Sequence, residues 1–113
     1  MEITQRVERD VNIIRVAGEI DSLTSESMLD TFLSQVRNGT RNLVADLGGV
    51  DYTSSAGLRS LLIILKEIRQ KGGDLRLAGV QSNVLKVLQM SGFTSIIKVY
   101  ADVDTAIASY GGA

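Results

Sequence analysis

The chain has 113 residues, 44% of them hydrophobic and 22% charged, with a net charge of −1. That balance is ordinary for a globular protein and argues against a nucleic-acid or anionic-membrane surface. The sequence contains no cysteine and no histidine, which excludes disulfides, thiol chemistry, and the commonest general base and zinc ligand.

Its length suits one hydrophobic core, so residues 1–113 are expected to form a single domain. The longest apolar run, Leu61 to Leu65, is too short to span a bilayer, and the N-terminus has no secretory pattern, so a cytoplasmic location is expected. No nucleotide loop of the Gly-x-Gly-x-x-Gly or Gly-x-x-x-x-Gly-Lys type occurs, and neither a cofactor nor a metal is implied.

Ile3–Val7 and Val11–Ala17 read as a hairpin around the polar Glu8-Arg9-Asp10. After Gly18, Glu19 and Asp21 flank Ile20 in what reads as a surface loop. They are either solvated acids ahead of a helix or a carboxylate pair without a catalytic companion. Met28, Leu29, Phe32, Leu33 and Val36 predict a first helix that starts among Ser22, Thr24 and Ser25 and stops at Asn38-Gly39. Leu43–Leu47, bounded by Asn42 and Gly48-Gly49, predicts a strand covered on both faces. Asp46 near its end invites comparison with receiver domains, but the first strand lacks their acidic pair.

The stretch Asp51-Tyr52-Thr53-Ser54-Ser55-Ala56-Gly57-Leu58-Arg59 is expected to be a hydroxyl-rich loop running into a second helix. That helix begins near Ser55, carries Leu58, Leu61, Leu62, Leu65 and Ile68 inward, and ends at Lys71-Gly72-Gly73. Any of the three hydroxyls can be a helix cap. A phosphate is also tolerated where free N–H groups and the positive end of the helix dipole meet, so a serine there can be cap, phospho-acceptor or both.

Leu75–Val80 predicts the next strand, with Leu75, Leu77 and Gly79 on one face. Ser82 is expected to cap a third helix with Val84, Leu85, Val87 and Leu88 on its apolar side, ended by Ser91-Gly92. Ile96–Tyr100 predicts the last strand. Asp102 or Asp104 then opens a helix bearing Val103, Ala106, Ile107 and Tyr110, and Gly111-Gly112-Ala113 is expected to fray. The order ββαβαβαβα implies an α/β fold with a mostly parallel central sheet and an N-terminal edge strand.

Asp51-Tyr52-x-Ser54-Ser55-Ala56-Gly57-Leu58-Arg59, together with Gly18-Glu19-Ile20-Asp21 and Met90-Ser91-Gly92-Phe93, closely resembles STAS domains of the bacterial anti-sigma-factor antagonist type. The resemblance implies the STAS-like fold and a regulatory binding module rather than an enzyme. It places a phospho-acceptor on Ser55, acted on by a serine kinase that is itself the anti-sigma factor and reversed by a serine phosphatase. It further implies a partner-binding rim of Glu19, Asp21, Asp51, Thr53, Ser54, Gly57, Leu58 and Arg59; the charge balance adds the expectation of no nucleic acid and no membrane among the partners. Many members carry an acid just before the acceptor, where this chain has Ser54. A non-switching STAS subunit of a transport or scaffold assembly, with Ser55 only a cap, is the alternative. A small enzyme using Asp46, Asp51 and Ser55 requires a deep pocket beside them.

Overall fold

The computed structural model describes residues 1–111. The elements run β1 (Glu2–Glu8), β2 (Val11–Ile20), α1 (Thr24–Arg37), β3 (Asn42–Thr53), α2 (Ser55–Gln70), β4 (Asp74–Ala78), α3 (Ser82–Met90), a 3-10 turn (Phe93–Ser95), β5 (Lys98–Tyr100) and α4 (Val103–Tyr110). The five strands lie in sequential order, β1 antiparallel to β2 and the other three pairings parallel. The expected element order and the N-terminal edge strand are both present. The fraying expected at Gly112 and Ala113 lies outside the described residues.

The β1–β2 hairpin closes on Arg9 and Asp10 alone, Glu8 being paired with Val11. Both turn residues have positive φ, 51° and 61°, the backbone sign that lets a two-residue turn follow the strand twist. Ile14 and Val16 of β2, with Leu43, Ala45 and Leu47 of β3, face α1, α2 and α3 in the main core. Val11, Ile13, Val44 and Ala78 face the other way and are covered by Ala106 and Ile107 of α4. Covering on both faces is why β2 and β3 read as nearly continuous apolar runs.

The predicted strand ending at Gly48-Gly49 instead continues to Thr53. The register against β2 slips between Arg15 and Ala17 and again between Ala17 and Glu19, so β3 carries two extra residues. Gly49 permits this: a Cβ there would lie 2.7 Å from the Ala17 Cβ. The glycines thus mark an irregularity inside a strand rather than its end. Two consequences matter for the site. Asp51, Tyr52 and Thr53 are strand residues, and Glu19 and Ile20 pair with Tyr52 and Thr53 instead of lying in a loop.

Other departures are local. On α2 the fully covered side is Leu61, Ile64, Leu65 and Ile68, with Leu58 and Leu62 only partly buried; five consecutive apolar residues do not fix a helical phase. Gln81, not Ser82, precedes α3, and its amide donates to the Gly48 carbonyl at 3.0 Å. Val87 is 39% exposed while Val84 and Leu88 are buried. Gly79 lies past the end of β4, and the last strand begins only at Lys98, because 93–95 form the turn and Ile96 faces outward. Asp102, one of the two candidates, caps α4 by accepting from the Thr105 N–H at 2.7 Å.

Candidate functional site

The end of β2, the end of β3 and the start of α2 meet at one corner. Ser54 links them: its N–H donates to the Ile20 carbonyl at 2.8 Å, and its hydroxyl oxygen accepts from the Gly57 N–H at 3.2 Å. Of the three hydroxyls, Ser54 is therefore the N-cap, in extended conformation with φ −85° and ψ 171°. Ser55 is the first helical residue and is exposed, and among the described residues its hydroxyl makes no hydrogen bond.

Thr53 is buried, and its hydroxyl donates to the Ser54 carbonyl at 3.2 Å. Gly57 is buried against it: an added Cβ would overlap Thr53 Oγ1 and lie 2.7 Å from Ile20 Cγ2. Thr53 and Gly57, expected on the rim, are thus buried within the chain. The missing side chain at Gly57 admits the chain's own Thr53 and Ile20, which lets α2 sit down on the sheet. Further along α2, the buried Ser60 hydroxyl donates to the Ser25 carbonyl of α1 at 3.4 Å.

Asp21 is likewise engaged within the chain. Its Oδ1 accepts from the Leu23 N–H at 2.9 Å and the Thr24 N–H at 2.8 Å, so Asp21 satisfies N–H groups at the start of α1, which opens at Thr24, among the residues expected. The Thr24 hydroxyl lies 3.0 Å from the same oxygen and 2.9 Å from the Glu19 carbonyl, with one proton to share between them. These bonds, the Thr24 N–H first, hold the Asp21 carboxyl below the usual carboxylate range.

Glu19, Asp51, Ser55 and Arg59 remain exposed, with Leu58 half-buried beside them. Asp51 is fixed through its backbone, whose carbonyl accepts from Asn83 of α3 at 2.7 Å. Two exposed apolar residues of the segments that meet at this corner were not among the expected site residues: Leu23 is 77% exposed and Tyr52 50% exposed. Tyr52 was legible as the one aromatic in the organising stretch, whereas Leu23 is out of phase with the α1 stripe and carried no signal.

The remaining chemistry lies elsewhere. Asp46, 15% exposed, sits within β3; its carboxylate accepts from Arg15 at 3.1 Å and from the Gly48 N–H at 3.0 Å. Neither its mid-strand position nor its arginine partner resembles a receiver phospho-acceptor. A cavity of about 680 Å³ follows β5 and reaches Arg69 near the far end of α2, roughly 20 Å along the helix from Ser55. Among the described residues no group of three acidic side chains could hold a metal ion.

Residues 2–106 match the STAS domain family. The chain is 39% identical over 93 residues to BtrV of Bordetella bronchiseptica, named as a candidate anti-sigma factor antagonist, covering 82% of this chain and 80% of that one. It is 31% identical over 103 residues to the anti-sigma F factor antagonist of Paenibacillus polymyxa, covering 88% and 86%. The fold is that of a candidate anti-sigma factor antagonist from Thermotoga maritima (TM-score 0.90, 21% identity, 95% and 92% covered) and of unphosphorylated SpoIIAA (0.76, 19%, 99% and 100% covered). With the family match spanning nearly its whole length and two relatives above 30% identity, the chain belongs to the STAS domain family.

Proposed function

We propose that this chain is an anti-sigma-factor antagonist, a binding module whose docking to a serine kinase that is itself the anti-sigma factor is switched at Ser55. The observation that carries the reading is the division of labour between adjacent serines. Ser54 performs the capping, so Ser55 is left exposed with an uncommitted hydroxyl. The names of the two relatives above 30% identity support the antagonist role.

In the kinase reaction the Ser55 Oγ–P bond forms as the bond from the ATP γ-phosphorus to its bridging oxygen breaks. The hydroxyl proton goes to the kinase's base, and ADP leaves. A serine phosphatase reverses the state by hydrolysis, water supplying the oxygen of the released inorganic phosphate. Phosphorylation adds about 1.5 to 2 negative charges at neutral pH, which a close-packed interface must desolvate and which any acidic group facing it from the partner opposes. The start of α2 tolerates the charge, so binding is lost while the fold is kept.

Exposed Leu23 and Tyr52, half-buried Leu58, and the charged Glu19, Asp51 and Arg59 compose the docking face, an apolar centre with a charged rim. Ser54 stands where many family members have an acid, and Asp51 is the nearest carboxylate upstream for kinase recognition. The test is affinity for the kinase once it is isolated: Ser55→Ala is expected to bind as the native chain does and Ser55→Asp poorly. Equal affinity of the two variants sinks the reading.

A further inference from the structure

Arg59 lies four residues after Ser55 on α2, and both side chains are exposed. Residues at that spacing are surface neighbours, with Cβ atoms about 5–6 Å apart. Arg6, Arg15, Arg37, Arg69 and Arg76 have carboxylate partners, Arg41 bonds backbone carbonyls, and Arg9 lies in the β1–β2 turn. Arg59, among the described residues, has neither an ion pair nor a hydrogen bond. The first turn of α2 contains no acidic residue to compete for it. The acids at this corner, Glu19 and Asp51, belong to the strand ends.

We propose that Arg59 is the counter-ion, within the same chain, of phosphorylated Ser55, and that phosphorylation thereby withdraws its guanidinium from the docking face. The inference rests on the reading that Ser55 carries the phosphate, and adds how the modified state is held. A planar guanidinium engages two phosphate oxygens at once, which a lysine ammonium does not reproduce. The switch then has two parts. The modification adds negative charge, and it removes a cation that an acidic group on the partner would otherwise meet. The unpaired Arg59 is thus a feature of the unmodified, binding-competent state.

The pairing is testable without a kinase, on full-length protein carrying phosphoserine at position 55 by genetic encoding. Phosphorus NMR reads the second ionisation of the phosphoserine, near pH 6 when unperturbed. A neighbouring guanidinium favours the dianion and lowers that pKa, so Arg59→Gln is expected to raise it by roughly 0.3 unit. In 1 M salt the difference shrinks, and Arg59→Lys falls between the two. Far-UV circular dichroism confirms that the exposed substitution leaves the fold intact. Identical phosphoserine pKa values with Arg59 present and in the Arg59→Gln variant, both at low salt, overturn the proposal. Because the phosphoserine is encoded, this outcome is independent of whether Ser55 is modified in the cell.

Discussion

The Ser54 hydroxyl and the Gly57 N–H are joined at 3.2 Å, a single bond that fixes which of three adjacent hydroxyl residues caps α2. Ser54→Ala is therefore expected to destabilise the fold by about 1 kcal/mol, whereas Ser55→Ala changes it by a few tenths, roughly the difference in intrinsic helix preference. Urea denaturation of the two variants separates them. A larger loss at Ser55 would reassign the cap and remove the argument that Ser55 is free for modification.

Gly57 predicts a steric effect. Its Cβ would enter the space of Thr53 Oγ1 and Ile20 Cγ2, so Gly57→Ala is expected to cost roughly 1–3 kcal/mol by overpacking, despite the better helix propensity of alanine. Thr53→Ala removes one of the two obstacles. The double variant is expected to lose less than the sum of the single losses, and additivity in a double-mutant cycle would show that the clash is relieved elsewhere.

These details separate what the sequence shows from what only the fold supplies. The apolar stripes of α1 and α2 and the strand–helix alternation are local, so element order and the mostly parallel sheet were legible. So was the place of Ser55 at the start of α2. The length of β3 was not, because Gly48-Gly49 carries the composition of a turn. Only the approach of Ala17 from the neighbouring strand explains Gly49 within the ladder. The burial of Thr53 and Gly57 was not legible either, for the same reason. Their burial depends on Ile20, distant in sequence, and no local pattern encodes that contact. Asp21 was readable as a helix-terminal acid, but not as the residue whose carboxylate takes up both the Leu23 and Thr24 N–H groups.

Tyr110 gives an alkaline prediction. Its hydroxyl lies 2.7 Å from the carbonyl oxygens of Leu43 and of Asp74, and Arg76 stacks 3.9 Å from its ring centroid, fastening α4 to the sheet. Burial first, and then the Asp74 charge, raise its pKa well above the ordinary tyrosine value. The folded chain thus holds this proton more tightly than the unfolded one. The contribution is whole below the unfolded pKa near 10 and is lost as pH rises above it toward the folded value. Tyr110→Phe is expected to cost about 1.5 kcal/mol at neutral pH and to flatten the fall in stability above about pH 10. An unchanged alkaline slope in the variant contradicts this assignment.

Two caps predict the acid side. Asp21 and Asp102 both have pKa values lowered by hydrogen bonds, from Thr24 and Thr105 respectively. Each favours the charged form in the folded chain. Their contributions are present above the unfolded pKa near 3.9 and disappear as pH falls through the lower folded values. Replacing both by Asn is expected to reduce stability at pH 7 and to make it less dependent on pH between about 5 and 2. Thermal melts across that range check this, and parallel profiles for the two proteins would refute it.

The central claim, that Ser55 is the switch, is tested most directly by mass. The protein is incubated with ATP and a lysate of its own source, its intact mass is measured, and its peptides are mapped. The account predicts one added phosphate on the peptide containing Ser55, absent from Ser55→Ala. No phosphate on that peptide, in a lysate that labels its other kinase substrates, or a phosphate that persists in Ser55→Ala, contradicts it.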